Sequence, residues 1–229
     1  YKKRPVPAKP SEVFAPENFY KMSEPSGQGF IITSDGWIVT SLALTKTYND
    51  YMVIAKDKKI YQIDKAVADS LTKFNFIHVR ARDLPVRKLA DIKDIKAGSL
   101  AVGVNWLGLN SVSTVAGFSG SEVLVKSSDS FLKKLVLNDR LSAEYKGSVI
   151  FNLAGEALGL INEAGEIEPI SHLGGAIKSL FKNRTGVRPS LGISYIDLAE
   201  LIEVAGQNGR WQKGVVIYND LKAAAVKKN

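Results

Sequence analysis

Apolar residues along the 229-residue chain come in short runs, most of them five to eight positions long, broken by Gly, Asp, Asn or Ser. Gly29-Phe-Ile-Ile-Thr33 and Trp37-Ile-Val-Thr40 are two β-branched runs joined through Ser34-Asp-Gly36. An Asp-Gly step between two such runs is a strong hairpin signal, because both residues tolerate the left-handed backbone of a tight connection. Further runs lie at hairpin spacing at 51–55, 59–63, 74–81, 100–105, 112–118, 122–126, 147–152, 157–161 and 167–170, with a turn at Ala154-Gly155-Glu156. This rhythm predicts an all-β sandwich or a pair of barrels rather than alternating strands and helices. Helical periodicity appears over 173–181, where Leu173, Ile177, Leu180 and Phe181 fall on one stripe, and Asn183, Gly186 and Pro189 end it. A new unit starts near residue 190, with a strand over 191–195, a helical stretch over 198–205 and a strand over 214–218.

The opening is different in texture. Pro5, Pro7, Pro10, Pro16 and Pro25 with scattered charges read as an extended N-terminal segment over 1–27. The expected organisation is that segment, a folded body over 28–186, and a linker with a partial unit over 187–229. A 45% hydrophobic, 24% charged chain of this length supports a core without disulfide or metal staples. The lack of cysteine removes thiol nucleophiles and cysteine-ligated metals. His78 and His172 are the only histidines, so neither a metal site nor a cofactor is expected. Most of the +8 net charge sits at the two ends. Lys2, Lys3, Arg4, Lys227 and Lys228 look like solvated tails, and no basic groove for nucleic acid is expected. No run reaches the roughly 18 apolar residues of a bilayer span. The sequence begins at Tyr1, which reads as a processed or excised chain whose signal or anchor lay upstream.

Four motifs in order carry a resemblance. The Gly29–Thr40 hairpin, Ile95-Lys-Ala-Gly-Ser-Leu-Ala-Val-Gly-Val-Asn105, Phe151-Asn-Leu-Ala-Gly-Glu-Ala-Leu-Gly-Leu-Ile-Asn162 and Arg188-Pro-Ser-Leu-Gly-Ile193 are similar to the protease module of HtrA/DegP-like trypsin-fold serine proteases and the lead into a PDZ domain. The resemblance spans about residues 26 to 220. It implies two packed six-stranded β-barrels with the active cleft between them, a C-terminal helix and the start of a PDZ-like unit. It also implies an extracytoplasmic location, periplasmic or secreted, protein or peptide ligands, and oligomers, commonly trimers.

The resemblance further locates the chemistry. Peptide cleavage on this fold needs a serine oxygen, an imidazole to take its proton and a carboxylate to orient the imidazole. The family's histidine position corresponds to Ala43. Its aspartate corresponds to Lys73, and neighbouring registers offer Phe74 or Asn75. Its nucleophile corresponds to Lys146, and the glycine that shapes the oxyanion hole to Glu144. Triad members act as a unit, so these substitutions lead to the expectation that the chain is no enzyme but a pseudoprotease working through protein contacts. Lys73 and Lys146 would stand on facing walls of the cleft and repel each other unless solvated or paired with Glu144.

Ser148 lies two residues after Lys146, and alternate strand residues share a face, so a Ser148/Lys146 dyad is the competing enzyme hypothesis. The two Ser-x-x-Lys matches, Ser70 to Lys73 and Ser130 to Lys133, lack their partner motifs and read as chance. His78 and His172 read as structural, Gly103 and Gly108 as turn glycines, and Asn183-Arg-Thr185 as a common acceptor triplet. A third hypothesis has the basic ends holding an anionic surface.

Overall fold

The computed structural model describes residues 1–4, 19–120, 124–131, 133–183, 191–201 and 214–218. The first half of the body is β1 (Gly29–Ile31), β2 (Trp37–Thr40), β3 (Met52–Ile54), β4 (Ile60–Ala68) and β5 (Asn75–Val79). These form one sheet in the order β1-β2-β5-β4-β3. The second half holds β6 (Leu100–Val104), β7 (Asn110–Ser119), β8 (Lys126–Ser127), β9 (Lys134–Leu137), β10 (Val149–Asn152), β11 (Ala157–Ile161) and β12 (Ile167–Pro169). Six of them close into a barrel, β10-β11-β12-β9-β7-β6. The double-barrel fold class therefore holds, with one refinement. The second barrel has its six strands, whereas the first is a five-stranded half-barrel among the described residues.

A period of two explains where the core sits. Along β2, Trp37 and Val39 face one way and Ile38 the other, and all are buried. Val39, Phe74 and Phe76 join Leu160, Ile170 and Leu173 in one cluster that spans both halves. Ile38, Leu44, Ile63, Ile77 and Val79 form a separate cluster inside the half-barrel. The Asp-Gly hairpin forms as expected. Gly36 has φ +116, and a Cβ there would lie 1.9 Å from the carbonyl oxygen of Val79, so no other residue fits without displacing β5.

Two turns in the second barrel repeat one chemistry. Asn152 and Asn162 each accept from the backbone N–H of a glutamate four residues on, Glu156 and Glu166, at 2.9 Å. Each also donates from its amide to that same glutamate's carboxylate, at 2.9 and 3.0 Å. Gly155 and Gly165 supply the positive φ between them. Glu168 is fully buried on β12 and satisfied by an ion pair with Lys134 and a 2.6 Å contact to Nδ1 of His172.

A helix α1 (Gly174–Asn183) follows a 3₁₀ turn at Ile170–Leu173. Leu173 at the end of that turn and Ala176, Ile177 and Leu180 of the helix are buried. Phe181, expected on the same stripe, is 62% exposed, because the buried positions already follow the i, i+3, i+4, i+7 arc and residue 181 lies at its edge. Strand β9 was not anticipated. Its run Leu135-Val-Leu137 is three residues between lysines and Asn138, too short to show alternation. Of the strand expected over 122–126, residues 122–123 lie outside the described residues, Leu124 and Val125 are not in a strand, and Lys126 begins the two-residue β8.

The C-terminal unit contributes β13 (Ser194–Asp197) and β14 (Val215–Tyr218), which with β8 form a sheet in the order β14-β13-β8. Asp129 accepts from the N–H groups of Leu191 and Gly192 at 3.0 and 2.7 Å, and Ser128 from that of Ile193, so this sheet is tied to the second barrel. The expected helix over 198–205 is a 3₁₀ turn at Leu198–Glu200, and residues 202–205 lie outside the described residues. No helix among the described residues is long and apolar enough to cross a membrane.

Phe76 is fully buried in the cluster that joins the two halves. Phe76→Ala is expected to destabilise the protein by about 3–5 kcal/mol in urea unfolding. Glu156 ion-pairs with Lys88 and bonds Asn152, and these contacts hold its carboxyl below the ordinary range. A lowered folded pKa gives stability that is present above the unfolded value, about 4.3, and lost as pH falls through the folded one. Glu156→Gln is therefore expected to flatten the acid limb of thermal stability between about pH 5 and 3.

Candidate functional site

Two of the positions singled out in the sequence follow from one end of a strand pair in the first barrel. β2 and β5 pair with Thr40 opposite Asn75. Ala43, three residues beyond Thr40, and Lys73, two before Asn75, therefore leave the same end of that pair. Both are exposed. Lys73 occupies a tight turn with φ +64, closed by its N–H donating to the Asp69 carbonyl at 2.9 Å. Buried Asp69 holds this turn, accepting from the Thr72 hydroxyl at 2.5 Å and the Thr72 N–H at 3.4 Å.

The third position arrives from the other barrel. A 3₁₀ turn at Ala143–Tyr145 leads into Lys146, Gly147 and Ser148 ahead of β10. Lys146 is exposed and Ser148 is 3% exposed. The premise that both share a strand face does not hold. The strand begins only at Val149, and Gly147 at φ +75 breaks the alternation. A Cβ on Gly147 would stand 3.1 Å from Ser41 Oγ and 3.3 Å from the Gln28 carbonyl, so the loop is pressed against the first barrel.

Gln28 is the hub of the junction. Its amide nitrogen donates to the carbonyls of Glu144 and Lys146 at 3.1 and 3.0 Å. Its side-chain oxygen accepts from the Trp106 N–H and, at 3.3 Å, from the Ser148 hydroxyl. The loop's amide hydrogens are already engaged: Lys146 N–H donates to the Ala143 carbonyl at 3.2 Å and Ser148 N–H to that of Tyr145 at 2.9 Å within the loop, and Gly147 N–H to the Ile161 carbonyl on β11 at 2.9 Å. In this conformation it turns carbonyl oxygens, and no free N–H of these three residues, toward the cleft.

Beside the loop, Ser41 donates its hydroxyl to Glu163 at 2.5 Å. No ion pair joins Glu144 to Lys73 or Lys146 among the described residues. Neither histidine takes part. His78, opposite Trp37 at the far end of the β2–β5 pair, bonds Asp64 at 2.7 Å. His172 stacks on Phe131 with ring centroids 4.3 Å apart and bonds Glu168. Among the described residues no group of three His, Asp or Glu side chains is placed to hold a metal.

Gln28, Ser41 and Glu163 were not foreseen. Gln28 carries a faint signal, a long amide between two glycines at the head of a strand. The Ser41–Glu163 contact spans 122 residues and has no local signature.

With this geometry in place, the chain can be set beside known proteins. No protein-family model matches it. It is 26% identical over 215 residues to the putative serine protease HhoB of Synechocystis sp., covering 87% of this chain and 51% of that protein. It is 26% identical over 136 residues to a probable periplasmic serine endoprotease DegP-like of Pseudomonas putida, covering 58% of this chain and 28% of that one. The chain thus spans about half of the length of one of these relatives and less of the other. In structure it is similar to the HtrA-type protease AlgW with decapeptide, with a TM-score of 0.58 at 15% identity, covering 83% of this chain and 62% of that one. Together these matches support an HtrA/DegP-like trypsin-fold family for the chain. They also correct one expectation. The relatives are named as serine proteases, which points to a protease rather than to a non-enzyme.

Gln28→Ala would leave two carbonyls and one backbone N–H at the junction without their partner. It is expected to cost about 1 kcal/mol of stability and to raise amide exchange over residues 144–148 above that of β10, measured by hydrogen–deuterium exchange.

Proposed function

We propose that this chain engages extended peptides or unfolded protein segments in an extracytoplasmic compartment, binding them by strand addition at β14. The observation that carries this reading is the state of that strand. Among the described residues β14 has β13 on one side and no strand on the other. Its four residues, Val215, Val216, Ile217 and Tyr218, are each between 42 and 57% exposed. An open edge offers backbone donors and acceptors, and an apolar one adds side-chain burial, so such a strand is a template for an incoming one. The relative with a bound decapeptide supports a peptide as the occupant, and the DegP-like relatives named as periplasmic support the compartment. The C-terminal unit acts here as the beginning of a PDZ-like domain.

A second reading, favoured by the relatives' names, is slow peptide hydrolysis in the cleft. The hydroxyl there that lies within hydrogen-bond reach of a carboxylate is Ser41, bonded to Glu163. That is the nucleophile–base contact covalent catalysis requires, although a carboxylate is a weaker base than an imidazole and turnover would be low.

Fluorescein-labelled casein tests both. Saturable binding by anisotropy is expected, with Val216→Pro or Ile217→Pro weakening it at least tenfold while the melting temperature of the barrels stays unchanged. Wild-type affinity in both proline variants would refute strand addition. Release of casein fragments, with fluorophosphonate labelling that Ser41→Ala abolishes and Ser148→Ala spares, is the outcome expected of the second reading. Labelling that Ser148→Ala abolishes would move the nucleophile to Ser148.

A further inference from the structure

The half-barrel encloses space that its strands do not fill. A cavity of about 230 Å³ lies within it. Its walls include Ile38, Leu44, Ile54, Ile63, Ile77 and Leu84, and Trp106 lines it from the neighbouring turn. An apolar chamber of about 150 Å³ stays dry and takes up benzene, so this one admits an apolar group about half as large again.

The rim carries the opposite character. Lys56, which also lines the cavity, is exposed on the turn between β3 and β4. Its ammonium lies 3.6 Å from where a Cβ on Gly108 would sit, beside the turn that bears Trp106. On the same turn Asp57 is taken by Lys59 at 3.0 Å. Lys56 has no ion-pair partner among the described residues, so it leaves an uncompensated positive charge at the rim. An aliphatic interior under a cationic rim is complementary to a chain with a negative head.

We propose that the half-barrel is a binding site for short aliphatic carboxylates, with the chain in the cavity and the carboxylate at Lys56. The site is separate from β14, touches the cleft margin through Gln28 and Thr40, and stands whether or not peptides bind at β14.

Calorimetric titration with straight-chain carboxylates tests it. One-to-one binding of octanoate is expected. Affinity should rise about fourfold per methylene from hexanoate to octanoate, following the transfer free energy of a buried CH₂, and level off once the cavity is full. Lys56→Glu should weaken octanoate at least threefold and leave neutral octanol unchanged. Leu44→Trp, which fills the chamber, should abolish binding. Should that variant fail to fold, 8-bromooctanoate gives an independent reading, because it should quench Trp106 and the quenching should disappear in Trp106→Phe. Absence of saturable binding, unchanged octanoate affinity in Lys56→Glu, or quenching that survives Trp106→Phe would each overturn the proposal.

Discussion

The apolar seam between the two halves governs the rest of the molecule. Val39, Phe74 and Phe76 on one side and Leu160, Ile170 and Leu173 on the other are nearly or wholly removed from solvent. Burial of this kind stabilises each large side chain by about 1.5–3 kcal/mol, and it is non-directional. Direction comes from the strands. Their period of two puts Val39 and Phe76 on the seam and Ile38 and Ile77 in the half-barrel, so β2 and β5 serve two cores at once.

Because the seam sets how the barrels meet, it also sets what meets at their edge. The end of the β2–β5 pair faces the loop that runs from Glu144 to Ser148, and Gln28 fills the gap with four side-chain hydrogen bonds. The junction is polar and satisfied, which fits its position at a partly solvated margin. The same closeness bears on why residue 147 is a glycine: it has a positive φ, and a Cβ there would be tight against Ser41 and Gln28. The cleft's hydroxyl–carboxylate contact between Ser41 and Glu163 is likewise a product of the docking, since each residue belongs to a different barrel.

The half-barrel and the closed barrel differ in how fully they use their interiors. In the closed barrel, strands pair all the way round, and Ala101, Val115, Leu135 and Ile150 fill the middle. In the half-barrel the sheet ends at β1 and β3, and its aliphatic lining surrounds a cavity. Interiors are otherwise packed like organic crystals, so retained apolar space marks a place where something else can enter.

Much of this was legible in the sequence wherever the physics is local. The Asp35-Gly36 hairpin, the glycine turn at Gly155 and the alternation along β2 depend on residues a few positions apart, and these appear where the pattern put them. The resemblance pointed to Ala43, Lys73 and Lys146, which the structure places on exposed loops, with the Lys146 carbonyl held by Gln28 at the junction. The structure alone decided the rest. Which face Lys146 and Ser148 present turned on a single left-handed glycine. The three-residue run of β9 became a strand only because β7 and β12 were there to pair with it. Gln28 meets Lys146 across 118 positions and Ser41 meets Glu163 across 122. Local hydrogen bonds and side-chain period are written in neighbouring residues, whereas contacts between distant ones exist only once apolar burial has docked the two barrels.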